Sequence, residues 1–309
     1  MAILIDPPVW PAHGTLWSHL ISDESLSELH AFAGRLRVPR RSFDLDHYDL
    51  PSSLYDVAVS LGAREVSGKG VLRALQNSGL RVKQIDKPAL RPVYRRQYLE
   101  AEWQLLGSAL GVDGAPDPTG WLRLGGELIE RWNEPHRAYH DERHLEDVLL
   151  ALNQLEVRGE RIHHSTLLAA WFHDAVYTGR GEDELASARF AAHALGEAGI
   201  TSGLADTVGE LVLATVPASA SAVHGSAAAH LLDADVSIFA SARHRYDEYA
   251  ASVRDEYAHV ADAEFASARA RILAAYLDQS SIYRTDTARH LWELRARENV
   301  AREIERLRG

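Results

Sequence analysis

Residues 167–174 read Leu167-Leu168-Ala169-Ala170-Trp171-Phe172-His173-Asp174, setting an imidazole and a carboxylate side by side in an apolar helix predicted over Thr166–Tyr177. Burying both groups is costly unless something replaces their lost hydration. A divalent metal does so, taking an imidazole nitrogen and a carboxylate oxygen together. The dipeptide alone carries little weight as a motif, so its meaning depends on what surrounds it.

Upstream, Arg137-Ala138-Tyr139-His140 leads to His144 at the start of an amphipathic helix, 29 residues before His173. Downstream, Asp233-Ala234-Asp235 lies in another apolar helix, Asp235 following Asp174 by 61 residues. The order is His, His-Asp, Asp, each on its own helix, and facing helices of an all-α domain commonly build metal sites this way. The text around them is rich in Ala, Leu and Arg with helical periodicity. Helices are predicted at Trp121–Trp132, His144–Leu155, Glu184–Ala198, Leu204–Thr215, Ala227–Ala240, Ala242–Tyr257, Ala263–Leu277 and Thr287–Leu307. Residues 91–309 therefore read as all-α.

Residues 1–90 read differently. Ala2–Ile5 is a short apolar run stopped by Asp6-Pro7-Pro8. Helices are expected at Ser22–Leu36, with Ser22 as N-cap, at Leu54–Leu61 and at Val71–Leu80, and strands at Ser42–Leu45 and Arg81–Ile85. The expectation is a small α/β domain over 1–90, followed by the helical domain over 91–309. Pro88 and Pro92 mark the junction, and 111–120 (GVDGAPDPTG) forms a second loop.

Charge divides the chain at the same point. The 309 residues are 46% hydrophobic with a net charge of −11; residues 1–90 carry ten basic and ten acidic groups, so the whole excess lies in 91–309. All three lysines (Lys69, Lys83, Lys87) are also in the first part. The acidic second part lacks the broad basic footprint of a nucleic-acid binder. Zero cysteines exclude disulfides, thiolate metal sites and a cysteine nucleophile. A metal must then be held by His and carboxylates. With no basic leader and no apolar window of membrane length, neither export nor a membrane partner is expected. The expected location is the cytoplasm.

The longer strings PHRAYHDERH (135–144), AAWFHDAVY (169–177), Glu184–Ala188, LLDADVSIF (231–239) and EYAHV (256–260) resemble a bacterial branch of the HD superfamily of metal-dependent phosphohydrolases. The similarity runs from about residue 98 to the C-terminus. It implies a helical HD-type domain in which His144, His173, Asp174 and Asp235 hold one divalent metal, with Mn, Co, Ni, Zn, Mg and Fe not distinguished. It further implies hydrolysis of a phosphate ester, of a nucleotide or another small phosphorylated metabolite. Such an ion keeps positions open for water and a substrate oxygen and polarises the phosphoryl group. Asp174 could serve both as ligand and as general base. His140, one turn before His144, reads either as a group supporting the ligands or binding substrate, or as a structural histidine.

With no lysine in this domain, the phosphate's cation must be arginine, and Arg137 leads; the alternative is a surface pair with Glu134. Glu184 reads as a catalytic acid or as a carboxylate favoured by a helix N-terminus. Tyr139, Tyr177, Tyr257, His259 and Arg269 are candidate site-lining residues. Relatives usually carry a His shortly after the segment ending at Thr215, whereas this chain continues Val216-Pro217-Ala218-Ser219. His193, His224 and His230 raise the alternative of a di-iron HD oxygenase, and a nucleotide- or metal-binding sensor without turnover is the other. The oligomeric state is open.

The N-terminal text DPPVWPAHG (6–14), Trp17-Ser18-His19-Leu20 and Asp46-His47-Tyr48-Asp49 resembles a small bacterial domain of unassigned function over nearly all of 1–85. His13, His19, Asp46 and His47 could meet there as a second metal or phosphate site; alternatively they hydrogen-bond around the aromatic cluster of Trp10, Trp17 and Tyr48. Ser67-Gly68-Lys69-Gly70 is not a phosphate-binding loop, because Ala63 and Gly70 occupy positions where that motif needs Gly and Ser or Thr.

Overall fold

The computed structural model describes residues 2–12, 14–112, 118–179, 181–216 and 225–309, so His13 and His224 lie outside the described residues. The chain forms two compact units, 1–94 and 95–309. The first is α/β and the second all-helical.

In the first unit, β3 (Thr15–Ser22) is the central strand. One edge pairs antiparallel with β2 (Trp10–Ala12) and then β1 (Ile3–Ile5); the other pairs antiparallel with β4 (Tyr48–Pro51). The short β5 (Arg64–Glu65) adds parallel to β1. Alternation along the strands sends side chains to opposite faces. Ile3, Ile5, Leu20, Tyr48 and Leu50 pack with Leu29, Phe32 and Ala33 of α1 (Leu26–Arg35) and Ala58 of α2 (Tyr55–Ser60). Leu4 and Ile21 pack with Val71 and Leu75 of α3 (Gly68–Ser78). Both faces of β1 are buried, which is why its text is a continuous apolar run rather than an alternating one.

Several expected elements move. The region 15–22 is a strand whose inward positions include Ser18, so its polar text hides the period of two. The helix expected from Ser22 starts at Leu26, because Ser25, not Ser22, receives the Glu28 amide. The Ser22 hydroxyl instead binds Glu28's carboxylate and the amides of Glu24 and Ser25. At 42–45 a single helical turn, Arg40–Ser42, and a left-handed Leu45 (φ 67°) replace the expected strand. Arg81–Ile85 is not a strand either; the Arg81 side chain and Val82 amide turn to the buried Asp46 carboxylate. Pro88 and Pro92 lie within helix α4 (Lys87–Leu110) rather than in a loop.

The second unit continues with α5 (Pro118–Arg131), α6 (Glu142–Glu156), α7 (His164–Phe172), α8 (Asp183–Glu197), α9 (Ser202–Leu213), α10 (Ser226–Asp235), α11 (Arg243–Glu256), α12 (Asp262–Leu277) and α13 (Asp286–Arg308). One apolar core runs through it from Tyr98 to Ile304. Within that core Trp103 and Trp121 stack at 4.1 Å between centroids, each indole N–H donating to the other's carbonyl. Trp103 meets Trp171 edge-on, and the Trp171 carbonyl accepts from Trp132. Two helices end earlier than expected. Helix α7 stops at Phe172, leaving His173 as its cap and Asp174 in the turn beyond, and α10 stops at Asp235, followed by one tighter turn, Val236–Ala240. Among the described residues no helix is long and apolar enough to cross a membrane.

Candidate metal centre

His144 enters from the first turn of α6, whose N-cap Asp141 accepts the amides of Arg143 and His144. His173 and Asp174 come from the exit of α7, and Asp235 from the last residue of α10. The C-terminal ends of two helices therefore meet here, and their partial negative charge favours a cation.

His144 Nε2 lies 3.2 Å from His173 Nε2 and 3.2 Å from Asp235 Oδ1. His173 Nε2 is 3.3 Å from Asp174 Oδ2 and 3.6 Å from Asp235 Oδ1. Donors about 2.0–2.2 Å from a tetrahedral ion stand roughly 3.3–3.6 Å apart, so these separations suit edges of a coordination shell. The tautomer agrees: His173 Nδ1 lies 2.9 Å from the Ala170 carbonyl, so it carries the proton and leaves the Nε2 lone pair directed inward. His144, His173 and Asp235 each offer a donor atom within 4.8 Å of the other two, so these three fit a divalent ion, while Asp174 flanks them, its Oδ2 3.3 Å from His173 Nε2 and 4.0 Å from His144 Nε2. Burial pushes the Asp235 carboxyl up, but the hydrogen bond from His144 and the nearby imidazoles outweigh it and hold the carboxyl at about 2. Trp132 and Tyr139 pack beside the two imidazoles and shield them from bulk water.

His140 borders the four donors. Its Nε2 is 4.0 Å from Asp174 Oδ2, its Nδ1 is 2.7 Å from Glu256 Oε2, and its ring stacks on Tyr177 at 4.3 Å. Burial lowers the imidazole's proton affinity, yet the Glu256 hydrogen bond and the neighbouring carboxylates raise it overall. Glu256 was not singled out from the sequence, although it opens the EYAHV string. Its Oε1 accepts three consecutive amides, Ala138, Tyr139 and His140, and its Oε2 also accepts the Tyr177 hydroxyl. An acid at a helix end reads as surface text, and only the fold reveals the amides waiting for it.

Arg137 does not present the free cation expected of it. Its buried guanidinium donates to Glu134 and to the carbonyls of His140, Asp174 and Ala175, so it ties the His140 loop to the turn carrying Asp174. Glu184 sits in the first turn of α8 and makes no hydrogen bond or ion pair with the four donors among the described residues. Tyr257 hydrogen-bonds Tyr177, and His259 is exposed. Arg269 is held by Glu303 and Tyr249. Of the extra histidines of the two-metal alternative, the two that are described stand apart from the four donors: His193 is exposed near Glu197, and His230 pairs with Glu160.

In the first unit, His19 and His47 do come together, with ring centroids 5.1 Å apart, while Asp46 lies behind His47 rather than beside both. Asp49, absent from the expected set, joins them instead.

Residues 3–78 match the model of a family described as a protein of unknown function (DUF4031). No curated protein and no solved structure matches the chain significantly.

Proposed function

We propose that the helical domain hydrolyses the phosphate ester of a small metabolite, a nucleotide or related compound, with the help of one divalent metal. The observation that carries this reading is the convergence of His144, His173, Asp174 and Asp235 from three separate helix ends. When bound, a divalent ion there supplies Lewis acidity toward a phosphoryl oxygen and lowers the pKa of a water molecule.

The chain's own residues supply the rest. Asp174, the carboxylate facing His140, is oriented by its backbone carbonyl's bond to Arg137 and can accept a proton from an attacking water. Glu256 raises the proton affinity of His140, and the protonated imidazole would offer an Nε2–H for the phosphoryl oxygens or the leaving group. It takes the role first expected of Arg137. The net negative charge of 91–309 suits a small substrate bound at one local cationic spot rather than a polyanion.

The test is phosphate release from a panel of nucleotides and sugar phosphates with Mn, Co, Ni or Mg. Release should require the ion and fall roughly a hundredfold or more in His173→Ala and Asp235→Ala, as when a central electrostatic group is lost. Release that is indifferent to both substitutions overturns the reading.

A further inference from the structure

We propose that the α/β unit carries a metal site of its own, in which His19 Nε2, His47 Nε2 and an Asp49 carboxylate oxygen bind a zinc-class divalent ion and leave one position open.

The sheet register brings these residues together. His19 on β3 is paired directly with Asp49 on β4. Side chains two residues apart share a face, so His47 lies diagonally across from His19 on that same face, while Tyr48, Leu50 and Leu20 point into the core. One donor atom from each of His19, His47 and Asp49 lies within 4.8 Å of the other two. His47 Nε2 is 3.5 Å from Asp49 Oδ1, too far for a good hydrogen bond but close to the roughly 3.3–3.6 Å edge of a tetrahedral zinc site.

The two imidazoles are held from behind in the manner of metal ligands. His19 Nδ1 lies 2.9 Å from Asp6 Oδ2, and His47 Nδ1 lies 2.5 Å from Asp46 Oδ1. Each Nδ1 thus donates to a carboxylate and leaves Nε2 for the ion, the arrangement that fixes the tautomer and increases ligand basicity. Both carboxylates are buried: Asp46 is anchored by Arg81 and the Val82 amide, and Asp6 also receives the His19 amide. Each of these two buried acids turns one oxygen to the Nδ1 of a different histidine, Asp6 Oδ2 to His19 and Asp46 Oδ1 to His47.

The outer side is open. The side chains of His19, Asp49 and His47 keep 30%, 47% and 13% of their exposure, and the half-exposed Trp10 stands edge-on to His19. Three protein ligands with an accessible fourth position are the pattern of a zinc site that acts on a ligand, whereas a purely structural site is closed by four.

The experiment uses the full chain carrying His173→Ala and Asp235→Ala, stripped with a chelator and titrated with Co²⁺. It should bind one Co²⁺ per chain with visible d–d absorption, and dialysis against Zn²⁺ should leave one zinc by elemental analysis. Adding His19→Ala or Asp49→Ala, both at partly exposed positions and checked for folding by circular dichroism, should abolish that ion. Asp6→Asn should weaken it roughly 10–100-fold. A stripped protein that takes up no Co²⁺, or one that keeps its ion in the His19→Ala and Asp49→Ala variants, overturns the proposal. These readouts are independent of phosphate release, so they stand or fall apart from the activity of the helical domain.

Discussion

Glu256→Ala should destabilise the helical domain by about 3–5 kcal/mol in urea unfolding, the scale for removing one partner of a buried ion pair. The side chain is nearly inaccessible and is the shared acceptor for three amides, an imidazole and a phenol. Each abandoned donor that water cannot reach adds its own desolvation cost. Glu256→Gln keeps the shape and one acceptor oxygen but not the charge, so it should lose less, and its deficit should depend on pH. Burial pushes the Glu256 carboxyl up, but the His140 hydrogen bond and the amides outweigh it and bring the carboxyl from an ordinary 4.5 down to about 2. Its contribution is therefore complete above pH 4.5 and lost as pH falls toward 2. His140 is shifted upward, so its contribution is complete below its ordinary 6.5 and lost as pH rises through its folded value. The stability gap between wild type and Glu256→Gln should be widest between about pH 4.5 and 6.5 and close on the acid side. A gap that stays unchanged as pH falls from 4.5 toward 2 would show that the pair is not ionised.

Gly125→Ala should cost about 3 kcal/mol, at the upper end of overpacking, while Gly126→Ala, one residue on, should be neutral or stabilising by up to about 1 kcal/mol. A methyl at 125 overlaps the Trp103 indole, and one at Gly107 overlaps Trp121, whereas nothing lies near position 126. The two glycines let α4 and α5 approach closely enough for the indoles to stack and exchange hydrogen bonds. Forcing the helices apart should also reach the candidate centre. Trp103 contacts Trp171, Trp171 accepts from Trp132, and Trp132 lies 5.3 Å from the His173 ring. Metal affinity should therefore fall in Gly125→Ala and hold in Gly126→Ala, measured by titration beside the urea curves. Equal stability of the two variants would refute the close-packing account.

The helical part was legible because its periodicity is strong and its core side chains are plainly apolar. Helices expected at His144–Leu155, Glu184–Ala198, Ala263–Leu277 and Thr287–Leu307 match observed ones to within two residues at each end. What the sequence concealed was where α7 and α10 stop, since Asp174 and Asp235 follow apolar text with no Gly or Pro to mark an end. The α/β part was harder. Its longest strand has serine on the inward side and tryptophan and histidine on the other, so burial and polarity run against the usual pattern. The four convergent residues could be picked out by order and type. Their supports could not: Arg137 is one of two arginines in the string PHRAYHDERH, and nothing local says that its donors go to carbonyls. Glu256 and Asp49 are ordinary acids until a partner more than a hundred residues away, or a strand register, gives them work.

The pairing of His19 with Asp49 also constrains how this sheet can vary. A one-residue slip of β4 against β3 would carry Tyr48 and Leu50 into water and drive His47 and Asp49 beneath the sheet. Core and ligands thus share a single ratchet, and a chain that seats its tyrosine has already assembled its histidines. Insertions or deletions between Asp23 and Asp44 can lengthen or shorten the excursion through α1 freely, provided the return strand re-enters in the same phase. In relatives with a longer or shorter excursion, the spacing from the first histidine to the second should drift, while the interval from His47 to Asp49 stays at two.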